Sequence, residues 1–221
     1  MKRMLMAVVL VGVAGNGWAQ AQNPPAAGPL DYKYYVSVGG GVNFGNQSSG
    51  TYGGEAGYRL KSQIELFAEA GRLSDVTSGA MKTAAATVTT FLDGLNLGSA
   101  SSSLKTPANY GAIGARYLFT GRTHYVPYAA LTIGGANVDK KTSFSVNGAN
   151  VTSALPNPPY GVALGKDLAG RSNNFLLTLG GGVRFPFGHL FADVNLRYGR
   201  IFTSGTGMNT TRLVAALGYG F

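Results

Sequence analysis

Apolar and polar residues alternate along most of the chain, with the period of two that is typical of half-exposed β-strands. In the first such segment, Tyr34, Val36 and Val38 share one side, and Ser37 and Gly39 share the other. Seven later segments repeat this pattern. In the fifth segment apolar residues occur at both odd and even positions, so the sequence does not decide which of its sides is the apolar one. We predict eight strands, at residues 34–44, 51–60, 63–72, 108–119, 125–138, 174–187, 190–201 and 210–221.

The segments are joined by connections that are alternately long and short. About six, 35, 35 and eight residues follow the first, third, fifth and seventh segments, and only a few residues follow the second, fourth and sixth. Strands joined in this way place all the long connections at one end of a sheet. Outer-membrane barrels have this asymmetry, with short periplasmic turns and longer extracellular loops. An even number of strands also puts both ends of the barrel in the periplasm.

The polar sides of the segments carry charges, and the apolar sides carry almost none. A soluble sandwich turns its polar face to water, whereas a membrane barrel turns it into the lumen and faces lipid with its apolar side. Together with the connection lengths, this pattern favours an all-β fold, an eight-stranded antiparallel transmembrane β-barrel whose narrow interior is filled by side chains. The expected lumen charge network consists of Glu55, Arg59, Glu65, Glu69, Arg116, Arg184, Asp193, Arg197 and Arg212.

This network has two readings. Four acids and five arginines, held close together away from bulk water, are tolerated when they pair, and a paired network would seal the barrel. Glycines on the same faces relieve crowding inside it. The alternative is a narrow polar path for ions or small solutes, gated by Glu55, Arg59, Glu69, Arg197 and Arg212.

The N-terminal residues contain, in sequence, the three regions of a secretory signal peptide. Lys2 and Arg3 supply its positive charge, residues 5–14 form an apolar core, and small residues allow cleavage after Ala19 or Ala21. The core is too short for a spanning helix, with an uncleaved anchor as the alternative. We expect a signal peptide at residues 1–21, a periplasmic linker at 22–31 and the transmembrane barrel at 32–221. Export also argues against a nucleic-acid partner, despite a net charge of +9.

Aromatic residues cluster near the segment ends, as they do in the interfacial girdles of membrane proteins. The last segment ends on Phe221, and Leu217 and Tyr219 lie on the same side. These features, with the stretches Gly53–Arg59, Gly180–Arg184, Val194–Phe202 and Leu217–Phe221, resemble the small outer-membrane β-barrel superfamily. That superfamily includes the membrane-anchor barrel of outer membrane protein A, the opacity proteins and the outer membrane protein β-barrel domain family.

The resemblance covers nearly the whole mature chain and specifies barrel geometry, not a substrate. It implies an integral protein of the bacterial outer membrane, surrounded by its lipid and favoured as a monomer. It also implies that Leu217, Tyr219 and Phe221 form the C-terminal signal that the barrel-assembly machinery recognises.

The second long connection contains a helical pattern. Met81, Ala84, Ala85, Val88, Phe91, Leu92 and Leu95 recur at spacings of three and four, which predicts an amphipathic helix ended by Gly94 and Gly98. Burial of this stripe on the barrel rim or loops is the favoured interpretation. A lid over the lumen mouth, or a contact for another molecule, is the alternative.

The long loops are also basic. Their cations are Arg72, Lys82, Lys105, Lys140, Lys141, Lys166 and Arg171, against Asp75, Asp93, Asp139 and Asp167. Scattered cations of this kind form a solvated surface, and they could also pair with the phosphates of lipopolysaccharide.

The sequence offers few candidate catalytic residues. The chain has no Cys, and its two histidines, His124 and His189, fall in predicted periplasmic turns away from loop carboxylates. The glycine runs lie inside strands and open no helix, so they do not form a phosphate loop. We therefore expect no enzyme activity, no cofactor and no metal. The expected function is a structural and interaction scaffold that presents its extracellular loops on a plugged lumen, with the narrow pore as the alternative and a barrel enzyme third.

Overall fold

The computed structural model describes residues 30, 32–45, 47–120, 125–165, 168–203 and 207–221. The predicted signal peptide, all of the predicted linker except Leu30, and His124, Lys166 and Asp167 lie outside these residues. In chain order the elements are β1 Tyr34–Phe44, β2 Ser49–Lys61, β3 Ile64–Leu73, α1 Gly79–Gly94, β4 Ala100–Lys105, β5 Ala108–Leu118, β6 Val126–Val146, β7 Ala149–Asn150, β8 Gly170–Phe187, β9 Leu190–Phe202 and β10 Met208–Gly220.

Eight of the strands form a closed ring in which every neighbouring pair is antiparallel. Its order is β1–β2–β3–β5–β6–β8–β9–β10, and β10 pairs back onto β1. Val38 therefore lies opposite Gly54 on one side and opposite Leu217 on the other. Closure leaves the ring without an unpaired edge. The predicted eight-stranded antiparallel barrel is confirmed.

The side chains of the ring alternate between the lumen and the outer surface. In β6, whose facing the sequence left open, Tyr128 and Ala130 are only 4% and 5% exposed, while Leu131 and Ile133 are 50% and 48% exposed. The even-numbered residues of this strand therefore face the lumen. Tyr34 and Phe221 lie at the same end of the barrel as the short turns, which we call the short-turn end; the opposite end is the long-loop end.

β6 and β8 extend furthest beyond the predicted segments. β6 continues to Val146 instead of stopping at residue 138, and β8 begins at Gly170 instead of residue 174. The extended part of β6 is flanked by β4 and β7, which lie in stretches predicted to be loops. The prediction of loops was wrong here because these stretches alternate polar with small residues, so their apolar signal is weak.

The extended strands carry a folded unit at the long-loop end. This loop subdomain consists of α1, β4, β7, β6 beyond Val138, and residues 151–165 and 168–169. A turn at Asn147 and Gly148, both with positive φ, joins β6 to β7. The subdomain has its own apolar core, which contains Ala85, Leu92, Phe144, Val146, Val151, Leu155 and Leu168.

The predicted helix forms, with one difference in its buried face. Ser78 caps its N-terminus by accepting a hydrogen bond from the Met81 amide, and it ends at Gly94. Met81, Ala85 and Leu92 are buried, but Phe91, which we placed in the buried stripe, is 48% exposed. Within the described part of the chain, no helix has the length and apolar character needed to cross a bilayer.

Candidate functional site

The lumen of the barrel holds all nine charged residues that the sequence placed on its polar face. They come from β2, β3, β5, β8, β9 and β10, so they meet only because the sheet closes. Most are buried, and their pairing links every carboxylate to at least one arginine. The ion pairs are Glu65 with Arg59, Arg116 and Arg184; Glu55 with Arg116 and Arg197; Glu69 with Arg197 and Arg212; and Asp193 with Arg184.

Glu65 lies at the centre of the network nearest the short-turn end. Its carboxylate is fully buried and lies 3.0 Å from Arg59 Nη2, 3.3 Å from Arg116 Nη1 and 3.1 Å from Arg184 Nη1. Arg184 is itself sandwiched between rings, 4.7 Å from the Tyr35 centroid and 4.3 Å from that of Phe191. Three guanidiniums thus converge on one carboxylate.

Glu55 connects this centre to the middle of the lumen. It accepts hydrogen bonds from Arg116 Nη2 at 2.8 and 2.9 Å, from Arg197 Nη2 at 2.9 Å and from the Tyr35 hydroxyl at 2.6 Å. Arg116 also stacks on Tyr128, with its Cζ 4.2 Å from the ring centroid. Charge-assisted bonds of this kind are about twice as strong as neutral ones.

Asp193 is held mainly by neutral donors. Its Oδ1 accepts from the Tyr128 hydroxyl at 2.7 Å and from Asn195 Nδ2 at 2.9 Å. Arg184 Nε lies 3.5 Å from the other carboxylate oxygen, a charge contact too poorly aligned for a hydrogen bond. Sequence reasoning missed Tyr128 and Asn195 as partners, although Asn195 lies on the polar face of its segment.

The charged region towards the long-loop end is less tightly paired. Glu69 bonds to Arg197 Nη1, while Arg212 Nη2 lies 3.7 Å from its other oxygen. A cavity of about 50 Å³ adjoins these groups, lined also by Thr51 and Tyr110. The Arg212 side chain stacks on Tyr110, with its Cζ 4.6 Å from the ring centroid.

An aromatic cluster fills the lumen at the short-turn end. Its members are Leu30, Tyr32, Tyr35, Phe67, Leu118, Val126, Tyr128, Ala130 and Phe191. Tyr32 precedes β1 and turns into the barrel, where its ring stacks on Phe191 at 5.8 Å and its hydroxyl accepts a bond from Arg184 at 2.7 Å. Burial raises the pKa of the Tyr32 hydroxyl, which Arg184 partly opposes. Sequence reasoning missed this residue because it lies outside the alternating segments.

Glycines on the inner face make room for these rings. A Cβ at Gly57 would lie 2.2 Å from the ring of Tyr35, one at Gly218 2.1 Å from Phe191, and one at Gly220 2.2 Å from Tyr32. Such distances are impossible for non-bonded carbons. Each large ring is therefore matched by a glycine on a neighbouring strand or segment.

An apolar cluster fills the lumen at the long-loop end. It contains Leu73, Val76, Met81, Ala108, Ala136, Val138, Leu176, Ile201 and Met208. Asp75 fixes the segment that leads into α1, because its Oδ1 accepts from the Thr77 amide and hydroxyl at 2.9 and 2.6 Å and from the Thr106 amide at 3.2 Å. Met81 of α1 therefore packs directly over the lumen.

The outer surface of the barrel is apolar, with aromatic residues near the strand ends. Leu217, Tyr219 and Phe221 all point outwards and are exposed. The backbone of Phe221 exchanges hydrogen bonds with Tyr34 at 2.8 and 2.9 Å, and the two rings stack at 6.0 Å. The terminal residue thus completes the seam between β1 and β10.

The loop cations are arranged unevenly. Lys105 lies opposite Lys141 in the β4–β6 pairing, and Asp139 lies 3.3 Å from Lys141 Nζ and 3.5 Å from Arg171 Nε.

His189 lies at the β8–β9 turn, with Nδ1 3.0 Å from the Gly220 carbonyl oxygen. In the described residues, no cluster of three or more His, Cys, Asp or Glu side chains could hold a metal ion.

No family model matches the chain, and no curated protein sequence matches it. Solved structures do match. The crystal structure of Neisserial surface protein A aligns with 85% of this chain and 97% of its own, at 14% identity and a TM-score of 0.50. The attachment invasion locus protein Ail of Yersinia pestis aligns over 86% and 99%, at 11% identity and a TM-score of 0.47.

The N-terminal β-barrel domain of Pseudomonas aeruginosa OprF aligns with 84% of this chain and 97% of its own, at 16% identity and a TM-score of 0.46. Identities this low show the fold alone. The ring order, the outward apolar face and the match to Neisserial surface protein A agree on that fold. This chain is an eight-stranded antiparallel barrel with the fold of the small bacterial outer-membrane proteins.

Proposed function

We propose that the protein is an integral outer-membrane scaffold, whose closed barrel presents the loop subdomain at the cell surface. The observation that carries this proposal is the filled lumen. An aromatic cluster at the short-turn end, a paired charge network in the middle and an apolar cluster at the long-loop end follow one another along the barrel. A barrel of eight strands is just wide enough for side chains to fill it.

The outer surface supports insertion into a membrane. Large apolar residues such as Val38, Ile113, Leu179 and Leu217 are more than half exposed on the ring, while the charges lie inside. In water this outer surface would be costly, because a large exposed apolar area is unfavourable. In a bilayer the apolar face meets lipid, and the closed ring satisfies its backbone hydrogen bonds.

The loop subdomain supports the interaction role. Loops of about 35 residues are unusual unless they are functional or disordered, and here they fold around a shared apolar core. A rigid barrel that carries an ordered polar surface is a common way to present a binding site. Met81 packs in the apolar cluster at the long-loop end, while Ala85 and Leu92 of α1 pack in the core of the subdomain, which supports burial of the helix on the barrel rim and loops, the favoured interpretation, over a lid.

The narrow pore is the second candidate, favoured by the cavity beside Glu55, Glu69 and Arg212. We rank it lower because the aromatic and apolar clusters lie on either side of this cavity. A conducting path would require the side chains of both clusters to move. The predicted lack of enzyme activity stays a prediction.

The outer surface of the barrel and its loops supports two proposals about binding partners. We propose that Lys105, Lys141 and Arg171 bind lipopolysaccharide phosphates, because the side chains of Lys141 and Arg171 are 62% and 73% exposed and Lys105 lies opposite Lys141 in the β4–β6 pairing. We also propose that the barrel-assembly machinery binds the outward-facing side chains of Leu217, Tyr219 and Phe221. The monomeric state stays a prediction.

Cysteine labelling in intact cells tests the placement of the subdomain, because the chain has no Cys of its own. Thr83→Cys places a thiol on the exposed side of α1, and Ser62→Cys places one at the β2–β3 turn. A membrane-impermeant maleimide should label Thr83→Cys in intact cells, and Ser62→Cys only after the outer membrane is permeabilised. The reverse pattern, or equal labelling of both variants in intact cells, would refute the proposal.

A further inference from the structure

A row of asparagines crosses the outer face of the barrel near the long-loop end. Asn109 of β5 lies opposite Asn137 of β6, and Asn137 lies opposite Asn173 of β8. Residues directly opposite each other in antiparallel strands point to the same side of a sheet. All three side chains are exposed, and Asn137 Nδ2 donates a 2.7 Å hydrogen bond to Asn173 Oδ1. We call these three residues the amide row.

The folding of the barrel does not account for the amide row. Asparagine is disfavoured in strands, and an outward side chain adds nothing to the packing of the lumen. Four positions nearer the short-turn end, the same faces of the same strands carry Ile113, Ile133 and Leu177. The amide row therefore lies where the apolar outer surface of these strands ends.

Cations flank the amide row. Arg72 of β3 continues it at the β5 end, and Arg171 lies two residues beyond it on β8. Lys105 and Lys141 lie opposite each other farther along β4 and β6. On the described outer faces of β3, β4, β5, β6 and β8, Asp139 is the single carboxylate against these four cations. The surface around the row is thus positively charged and complements an anionic ligand.

The two chemistries of this surface fit a phosphorylated sugar. Side-chain amides both donate and accept hydrogen bonds, as sugar hydroxyls do, and guanidinium and ammonium groups bind phosphate. From Arg72 to Asn173 the row crosses three strand spacings, about 14 Å, which is long enough for a disaccharide. We propose that the amide row binds the sugar head of lipopolysaccharide, between cations that hold its phosphates. This inference rests on the proposed function, which places the long-loop end at the cell surface.

Binding of fluorescent lipid A to the refolded mature chain in micelles tests the inference, with anisotropy as the readout. Asn137→Ala should weaken binding about fivefold for lipid A with and without its phosphates, because one hydrogen bond to the sugar is lost. Asn157→Ala, which removes an exposed asparagine of the loop subdomain, is the matched control and should bind like the native chain. Heat-shifted gel mobility verifies that each variant is folded.

A second variant separates the sugar from the phosphates. Lys141→Met should weaken binding of phosphorylated lipid A and leave binding of the dephosphorylated form unchanged. If the native chain binds lipid A and Asn137→Ala binds it equally well, the amide-row inference is overturned while the phosphate contacts stand. If the native chain binds neither form of lipid A more tightly than it binds phosphatidylglycerol, lipopolysaccharide is overturned as a partner altogether. The placement of the loop subdomain is tested independently by the cysteine labelling described above.

Discussion

At the scale of single residues, this protein shows how a narrow barrel tolerates charge in its interior. Glu65 is fully buried, and three arginines from β2, β5 and β8 converge on it. Isolated, each of these ions would be very costly away from water, whereas sharing reduces that cost. The carboxylate is thus the member whose loss affects the largest number of partners.

Replacing Glu65 with Gln should destabilise the barrel by about 3–5 kcal/mol, because the removal of one partner leaves buried charges without compensation. Asp139→Asn is the matched control. It also removes a carboxylate with two cationic partners, but Lys141 and Arg171 are 62% and 73% exposed, so its loss should cost at most about 1 kcal/mol. Urea titration of the refolded proteins in micelles measures both. Equal midpoints for the two variants would show that Glu65 does not anchor a packed interior.

Tyr32 should make the barrel sensitive to alkali. Burial raises the pKa of its hydroxyl in the folded state, so the protonated form is favoured by folding. Its contribution is complete below the unfolded pKa of about 10 and is lost as pH rises through the folded pKa. Between pH 8 and pH 11 the urea midpoint of Tyr32→Phe should therefore fall less than that of the native chain. Parallel curves would contradict this assignment.

At this scale, the sequence predicted which side chains face the lumen, but it did not predict which of them form ion pairs with one another. Alternation assigned Glu65 and Arg184 to the lumen, yet they lie on β3 and β8, which are not neighbours in the ring. Which ions meet across a lumen depends on the register and tilt of strands far apart in the chain, and local periodicity contains neither. Tyr32 was missed for a different reason, since a residue outside a strand has no parity to reveal its direction.

At the scale of elements, the two longest connections contribute more than a pair of loops. β6 has 21 residues and β8 has 18, whereas a bilayer needs about 9–11 per strand. The extra length rises above the ring and supports α1, β4 and β7. The helix was predictable because its stripe is strongly apolar, but the β4–β6 pairing was not, since Ser101, Ser102 and Ser103 carry almost no hydrophobic signal.

A mutation in the core of the loop subdomain should destabilise that subdomain without unfolding the barrel. Leu92→Ala removes a fully buried side chain from that core and should cost about 2–5 kcal/mol within the subdomain. The neighbouring Phe91→Ala, at a position 48% exposed, should cost about 0.5 kcal/mol or less. Protease added to intact cells should cleave the subdomain of Leu92→Ala faster, with the heat-shifted gel mobility of the barrel retained. Equal cleavage of both variants would mean that the loops lack a cooperative core.

At the scale of the whole molecule, the interior is divided into three levels that differ in their chemistry. Aromatic rings fitted against glycines occupy the short-turn end, paired charges occupy the middle, and apolar side chains under α1 occupy the long-loop end. A tightly packed interior resists deformation. We propose that these levels together close the lumen, so that function resides in the surface that the barrel carries.

Planar-bilayer conductance of the refolded mature chain tests this claim most directly. Folding is first verified by heat-shifted gel mobility, so that a silent bilayer reports a closed barrel and not a failure to insert folded protein. We predict no steady conductance above the bare bilayer across the usual range of voltages. Steady, reproducible single-channel steps from the verified folded protein would contradict the closed lumen and establish the narrow pore in its place.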